Sequence, residues 1–319
     1  MGYMDAGVWR TSDPPKRIQG GRYVRPETQF RSRVSADGSS GFAPEAGRYH
    51  LYVAHACPWA HRTLMLRGLK GLEDSITVSF ALPLMLENGW ELEPDDGPVA
   101  GARYMHDVYR AAPGDYSGRC SVPVLWDRER QTIVSNESAD IVRMLNSAFD
   151  HLATRNVPDL YPADLHSRID ELNELVYHDI NNGVYKCGFA VSQEAYEESF
   201  LKLFAALDRI EKLLASNRYL CGTQVTEADW RLFATLVRFD AVYVSHFKCN
   251  LRRIADYANL SNYTRELYQW PGIAETFDLE LTKQHYFGSH ESINPHRIVP
   301  LGPVWDMDAP HDRSRLPCA

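Results

Sequence analysis

The hydrophobic pattern changes its period once, near residue 160, and that change restricts the chain to two kinds of packing. Upstream, short β-rich runs alternate with helical ones. RYHLYVAHA is followed by WAHRTLMLRGLKGL, whose apolar residues fall at helical spacing and which closes on glycine; SITVSFAL, VPVLWD, QTIVS and NESADIVRMLNSAF follow. Downstream the β signal is gone. DLHSRIDELNELVYHDINNGVY, EAYEESFLKLFAALDRIEKLLA, TEADWRLFATLVRFDAVYV and IAETFDLELTKQHYF all carry the i, i+3, i+4 spacing of packed helices. This order predicts a small α/β domain over residues 48–150 and a larger all-α domain over 160–288. Residues 1–47, rich in Gly, Pro, Arg and Ser, show no sustained period and are expected to form an irregular arm on the body. Residues 289–319 form a Pro/Gly-rich tail, expected to pack there too. Residues 83–120 form a polar, aromatic insert with one helix-like patch, YMHDVYRAA.

Charge and cysteine content exclude several classes of function. Lys plus Arg total 34 against 42 Asp plus Glu, a net charge of −8, which is the wrong sign for gripping nucleic acid or anionic lipid. No apolar run approaches the ~20 residues of a membrane span. The N-terminus has no basic stretch leading into an apolar core, so no secretory signal is expected. Gly2 without Ser or Thr at position 6 and Cys318 next to the end match no lipidation signal. The six cysteines (57, 120, 187, 221, 249 and 318) form no close pair, so neither a disulfide framework nor a zinc ribbon is expected. A reducing cytosol is the expected home, with thiols free for chemistry.

Cys57 is the thiol best placed for it. In His55-Ala-Cys57-Pro58-Trp-Ala60-His61 it stands where a strand ends and a helix begins, with Pro58 in the first helical turn. A helix N-terminus favours negative charge and so lowers a thiol pKa. That context favours a reactive thiol over the commoner buried structural one. A dithiol redox protein would carry a second cysteine where this chain has Ala60, so a mixed disulfide on Cys57 must be resolved from outside, most cheaply by glutathione. A metal site of His55, Cys57 and His61 is disfavoured, because the strand and the helix would aim the three side chains apart.

Two further motifs fit a glutathione cradle. In a thioredoxin-like fold a cis-proline before the third strand turns its neighbour's backbone toward the active cysteine, and Val122-Pro123 is placed for that. An extended peptide could then pair with the Val122 backbone as an added strand. Asn136-Glu137-Ser138 opens a helix whose N–H groups and Ser hydroxyl suit a carboxylate, although the triplet reads equally as a plain N-cap.

CPWAHR, SVPVLWD, NESADI, RFDAVYVSHFKCN and HYFGSHESINPHRIVPLGP together resemble the glutathionyl-hydroquinone reductases, the Xi-class glutathione transferases, over about residues 48–302. The resemblance implies the glutathione transferase fold, an α/β thioredoxin-like N-terminal domain plus an all-α C-terminal domain, in a homodimer. It implies glutathione as co-substrate, no metal, and a catalytic cysteine that removes glutathione from glutathionyl-hydroquinones. By position Cys57 would be the nucleophile. Trp90, Arg119, Val122 through its backbone, Glu137 and Ser138 would contact glutathione; Tyr185, Tyr243 and Tyr286 would line an aromatic pocket from the helical domain, Tyr185 and Tyr286 acting in catalysis. Two departures stand out: Phe287 beside Tyr286, where a paired aromatic is common, and His296 after Asn-Pro, where glycine is usual.

Read from residue type alone, Arg119 is as easily a solvated surface arginine, Trp90 a loop anchor and the tyrosines core packing. Thr226-Glu-Ala-Asp229 reads as a helix capping box and is left out of the site. Two other functions remain open at this stage. A general thiol transferase acting on glutathione mixed disulfides needs the cysteine and the cradle but no tyrosine-rich pocket. A non-catalytic ligand carrier on the same scaffold needs no thiol at the helix start.

Overall fold

The computed structural model describes residues 2–12, 18–94 and 97–318. Two short hairpins open the chain: β1 (Tyr3–Asp5) with β2 (Val8–Arg10), then β3 (Ile18–Gln19) with β4 (Arg22–Tyr23). Each turns on two residues of positive φ, Ala6-Gly7 and Gly20-Gly21, the arrangement that matches strand twist in a two-residue turn. The arm is therefore more regular than its composition predicts. Local turn chemistry supplies order where hydrophobic periodicity does not.

The chain forms two compact units. The first holds the β1–β2 hairpin, Pro26–Pro158 and Thr276–Ser289. Its sheet contains, in chain order, β5 (Tyr49–Val53), β6 (Ile76–Leu86), β7 (Gly89–Leu92), β8 (Val124–Asp127) and β9 (Thr132–Ser135), arranged β7-β6-β5-β8-β9. β5 runs parallel to β6 and antiparallel to β8. All of β5 is buried, as a central strand must be. Its polar His50 is accommodated because the ring nitrogens meet Thr77 Oγ1 at 2.6 Å and Ser79 Oγ at 2.7 Å on β6. Beside it, Arg48 grips Asp127 with two bonds, Nε to Oδ1 at 3.0 Å and Nη2 to Oδ2 at 2.7 Å, both side chains buried. Among the described residues three α-helices of this unit precede residue 158: α1 (Pro58–Leu69), α2 (Met105–Ala111) and α3 (Ser138–Ser147).

The second unit is helical, with α4 (His166–Leu175), α5 (Gly183–Gly188), α6 (Gln193–Leu214), α7 (Glu227–Arg238) and α8 (Ala258–Tyr268). It also holds the β3–β4 hairpin and the tail. The Thr226–Asp229 capping box forms as expected, and Asp229 is its anchor. One Asp229 oxygen accepts from Thr226 N at 2.8 Å, the other from Leu220 N at 2.9 Å and Tyr263 OH at 2.7 Å. In the tail, buried Arg313 donates to the Leu214, Asn217 and Arg218 carbonyls at 2.8, 2.6 and 2.7 Å. A cation thus closes the C-terminal end of α6, where the helix dipole is negative.

One boundary differs from the expected one. The last helix, α9 (Leu279–Ser289), falls within the stretch predicted for the helical domain, yet it packs with the first unit against β6. Ser289 Oγ accepts from Met85 N at 2.9 Å, and His285 Nδ1–H donates to the Pro83 carbonyl at 2.8 Å. A Cβ at Gly288 would meet Leu84 Cδ2 at 2.6 Å, so helix and strand touch there. Helical periodicity records that a face is buried, not which partner buries it. Among the described residues no helix is long and apolar enough to cross a membrane.

Candidate active site

Cys57 closes the turn after β5 and is the N-cap of α1, with Pro58 beginning the helix; its own side chain makes no capping bond. The residue is 9 % exposed. Its thiol points to the Val122 carbonyl, Sγ to O 3.5 Å, and the Val122–Pro123 peptide is cis. The two neighbouring histidines face elsewhere. His55 stacks on Phe80 with ring centroids 4.3 Å apart, and His61 Nε2 lies 2.8 Å from Thr276 Oγ1.

The loop that presents Val122 is held from behind by two phenols. Tyr109 OH donates to Ser121 O at 3.0 Å and accepts from Asn136 Nδ2 at 3.0 Å; Tyr116 OH donates to Arg119 O at 2.9 Å. Burial pushes both phenols well above the ordinary tyrosine pKa, so they remain proton donors. Arg119 itself is half-buried.

At the start of α3 the side chain of Glu137 is the cap. Its Oε1 accepts from Ala139 N at 3.1 Å and its Oε2 from Thr28 Oγ1 at 3.1 Å. Ser138 is buried beside it. Trp90, on β7, is buried and stacks on His285 of α9 with centroids 4.6 Å apart. Tyr286, the next residue, lies edge-on to the same imidazole at 5.1 Å. His285 therefore gathers Trp90 and Tyr286 into one cluster within the first unit.

The second unit carries the other two tyrosines. Tyr185 on α5 is half-buried and Tyr243 fully buried, their ring centroids 6.2 Å apart. Phe247 stacks on Tyr243 at 5.5 Å and meets Tyr185 at 5.4 Å. The Arg25 guanidinium sits 5.1 Å from the Tyr185 ring and its Nε donates to Asn182 Oδ1 at 2.7 Å. This is an aromatic cluster with a cation on its face.

A family model for the glutathione S-transferase N-terminal domain matches residues 56–148, and one for the glutathione S-transferase C-terminal domain matches residues 193–266. Glutathionyl-hydroquinone reductase YqjG of Escherichia coli (strain K12) is 50 % identical over 324 residues, covering 98 % of this chain and 98 % of that protein. Glutathionyl-hydroquinone reductase PcpF of Sphingobium chlorophenolicum is 51 % identical over 309 residues, covering 95 % and 97 %. The glutathione-bound structure of YqjG superposes with a TM-score of 0.89 at 49 % identity, over 98 % of this chain and 99 % of that one. An Xi class GST from Natrialba magadii superposes with a TM-score of 0.93 at 45 % identity, over 100 % and 98 %.

The chain belongs to the glutathionyl-hydroquinone reductases, the Xi-class glutathione transferases.

In this reductase the residues singled out from sequence fall into three groups. Cys57 touches Val122; Glu137 and Ser138 open α3; Trp90 and Tyr286 meet through His285. Tyr286 was expected from the helical domain, but it travels with α9 in the first unit, while Tyr185 and Tyr243 lie in the second. Thr28, Arg25, His285 and Phe247 were not singled out. Thr28 reaches its carboxylate across 109 positions and His285 its carbonyl across 202, so no local pattern marks either. Three of the other cysteines are held in the thiol form. Burial pushes Cys120 and Cys249 well up and Cys221 up to about 11, which keeps them as thiols.

Proposed function

We propose that this reductase removes glutathione from glutathionyl-hydroquinones through a Cys57–glutathione mixed disulfide. The observation that supports it most is the position of Cys57. It starts a helix without capping it by its own side chain, faces the Val122 carbonyl beside the cis-proline, and has Ala60 where a second thiol would stand. Glutathione pairs with the Val122 backbone, with Trp90 and Arg119 on one side and Glu137 and Ser138 at its γ-glutamyl end. A Glu137 carboxylate suits the γ-glutamyl ammonium, and the Ser138 hydroxyl at a helix start suits its carboxylate.

In the first step the Cys57 thiolate attacks the glutathione sulfur and a new S–S bond forms as the sulfur–ring bond breaks. The electron pair of that bond goes to the ring. An aryl carbanion is a very poor leaving group, so the ring carbon bearing sulfur is protonated beforehand, in the keto tautomer, and the ring departs as a phenolate that takes up a proton. Tyr185 and Tyr286 hydroxyls serve by hydrogen-bonding the ring oxygen or passing that proton, and Tyr243 packs with the aromatic ring. In the second step a free glutathione thiolate attacks the mixed disulfide, releasing oxidised glutathione and restoring the Cys57 thiolate. Hydroquinone leaves before the second glutathione enters, a ping-pong order. A reducing compartment supplies that glutathione.

Intact mass after exposure to oxidised glutathione is the direct test. One glutathione adduct on the wild-type chain, reversed by reduced glutathione and missing in Cys57→Ser, is the expected result. No adduct on the wild type would return the chain to a ligand carrier.

A further inference from the structure

The arm is bonded to the start of α3 at every residue from Thr28 to Arg31 except Gln29. Asn136 N donates to the Phe30 carbonyl at 3.1 Å, and Phe30 N donates to Asn136 Oδ1 at 3.3 Å. Arg31 bridges to Ser135 as an antiparallel partner and closes on Asp140, Nη2 to Oδ1 at 3.1 Å. Gln29 reaches the other way and donates to Ser117 O at 2.6 Å, beside the loop that carries Arg119. The segment is thus laid against β9 and α3 with its own backbone fixed. Within it, Thr28 Oγ1 donates to Glu137 Oε2 at 3.1 Å.

That bond determines what Glu137 can do. Oε1 is occupied by the Ala139 N–H of α3 and Oε2 by the Thr28 hydroxyl. A carboxylate held at both oxygens loses its freedom to rotate; Oε1 also accepts from Ser138 Oγ at 3.5 Å, while Oε2 keeps a second acceptor direction. An ammonium ion arriving there meets an oriented acceptor and no rotamer has to be frozen on binding. The capping bond is made by Oε1, and the bond to Oε2 fixes the plane of the carboxylate.

We propose that Thr28 is a positioning residue for the γ-glutamyl ammonium of glutathione, acting by orienting the Glu137 carboxylate, so that the arm forms part of the glutathione site. The proposal rests on the reading of Glu137 as the γ-glutamyl contact. It is tested by calorimetric titration of the full chain in a Cys57→Ser background, with glutathione and with N-acetylglutathione, which has no ammonium.

Thr28→Val keeps the shape and removes the hydroxyl. It should weaken glutathione binding about tenfold, the loss of one hydrogen bond to a charged group, and leave N-acetylglutathione binding within twofold. Thr28→Ser should restore glutathione binding to within about threefold, since the hydroxyl is kept. Glu137→Gln should weaken glutathione about thirtyfold and abolish the further effect of Thr28→Val. Equal glutathione affinity in Thr28→Val and its parent overturns the proposal, and so does an equal loss for both ligands, which would mark a merely structural strap. If Glu137→Gln itself leaves glutathione binding unchanged, the γ-glutamyl reading of Glu137 fails first and takes the proposal with it. A loss in Glu137→Gln with none in Thr28→Val sinks the proposal alone.

Discussion

The helices α1 and α3 begin in nearly the same backbone conformation, each following a strand of one sheet. The residue before α1, Cys57, has φ −80° and ψ 115°; the residue before α3, Glu137, has φ −103° and ψ 112°. What differs is the side chain. Glu137 returns its carboxylate to the Ala139 N–H and caps its own helix, whereas Cys57 makes no such bond and points to the Val122 carbonyl. A helix start carries N–H groups without intrahelical partners. The Glu137 carboxylate takes up one of them; a thiol is a weak acceptor, and the field of such N–H groups favours its thiolate form. One scaffold thus supplies a helix start capped by its own first residue and one that its first residue leaves open, and the chemistry proposed above belongs to the second.

The largest effect that would break this contrast is on turnover. Cys57→Ser should reduce hydroquinone release at least about a thousandfold, because a hydroxyl is not a nucleophile toward sulfur at neutral pH. The same change should raise stability by about 0.5–1 kcal/mol, since serine is a strong N-cap where cysteine is not. Denaturant unfolding of the variant would contradict the open-helix reading if stability fell. Next comes thiol selectivity. At pH 8, iodoacetamide should modify Cys57 at least about a hundred times faster than Cys221, whose thiol is pushed up to about 11 and whose thiolate fraction is then about one in a thousand. Peptide mapping separates these two from exposed Cys318.

The capped start yields the third test. Glu137→Ala should cost about 1 kcal/mol of stability as a lost cap and weaken glutathione about thirtyfold as a lost ionic partner. Equal glutathione affinity with the stability loss alone would leave Glu137 a cap and nothing more. The smallest effect concerns the ring end. Tyr185→Phe with Tyr286→Phe should slow hydroquinone release about tenfold, at the lower end of what a positioned acid contributes. Reduction of a simple glutathione mixed disulfide should be unchanged, because that leaving group needs no ring proton. Stopped-flow release of hydroquinone at equal rates in the variant and the parent would remove the tyrosines from the proton path.

The sequence by itself determined what is local. The change of period near residue 160 separated the sheet from the helices. The Cys57-Pro58 junction, the capping box at Thr226 and the start of α3 all follow from residue types within a few positions of one another. Such features are legible because backbone propensity, capping and turn chemistry act over one helical turn or one strand. Three things were decided only by tertiary structure. Helix α9 carries the same apolar spacing as its neighbours in sequence, yet it packs on β6 and takes Tyr286 with it. Arg313 looks like any charged tail residue until it closes the end of α6 from 99 positions away. Thr28, in a segment without periodicity, finds the second oxygen of Glu137. Each is a pairing between groups that meet only after the chain has folded. A pattern shows that an apolar face or a charge must find a partner, and three-dimensional packing chooses which one.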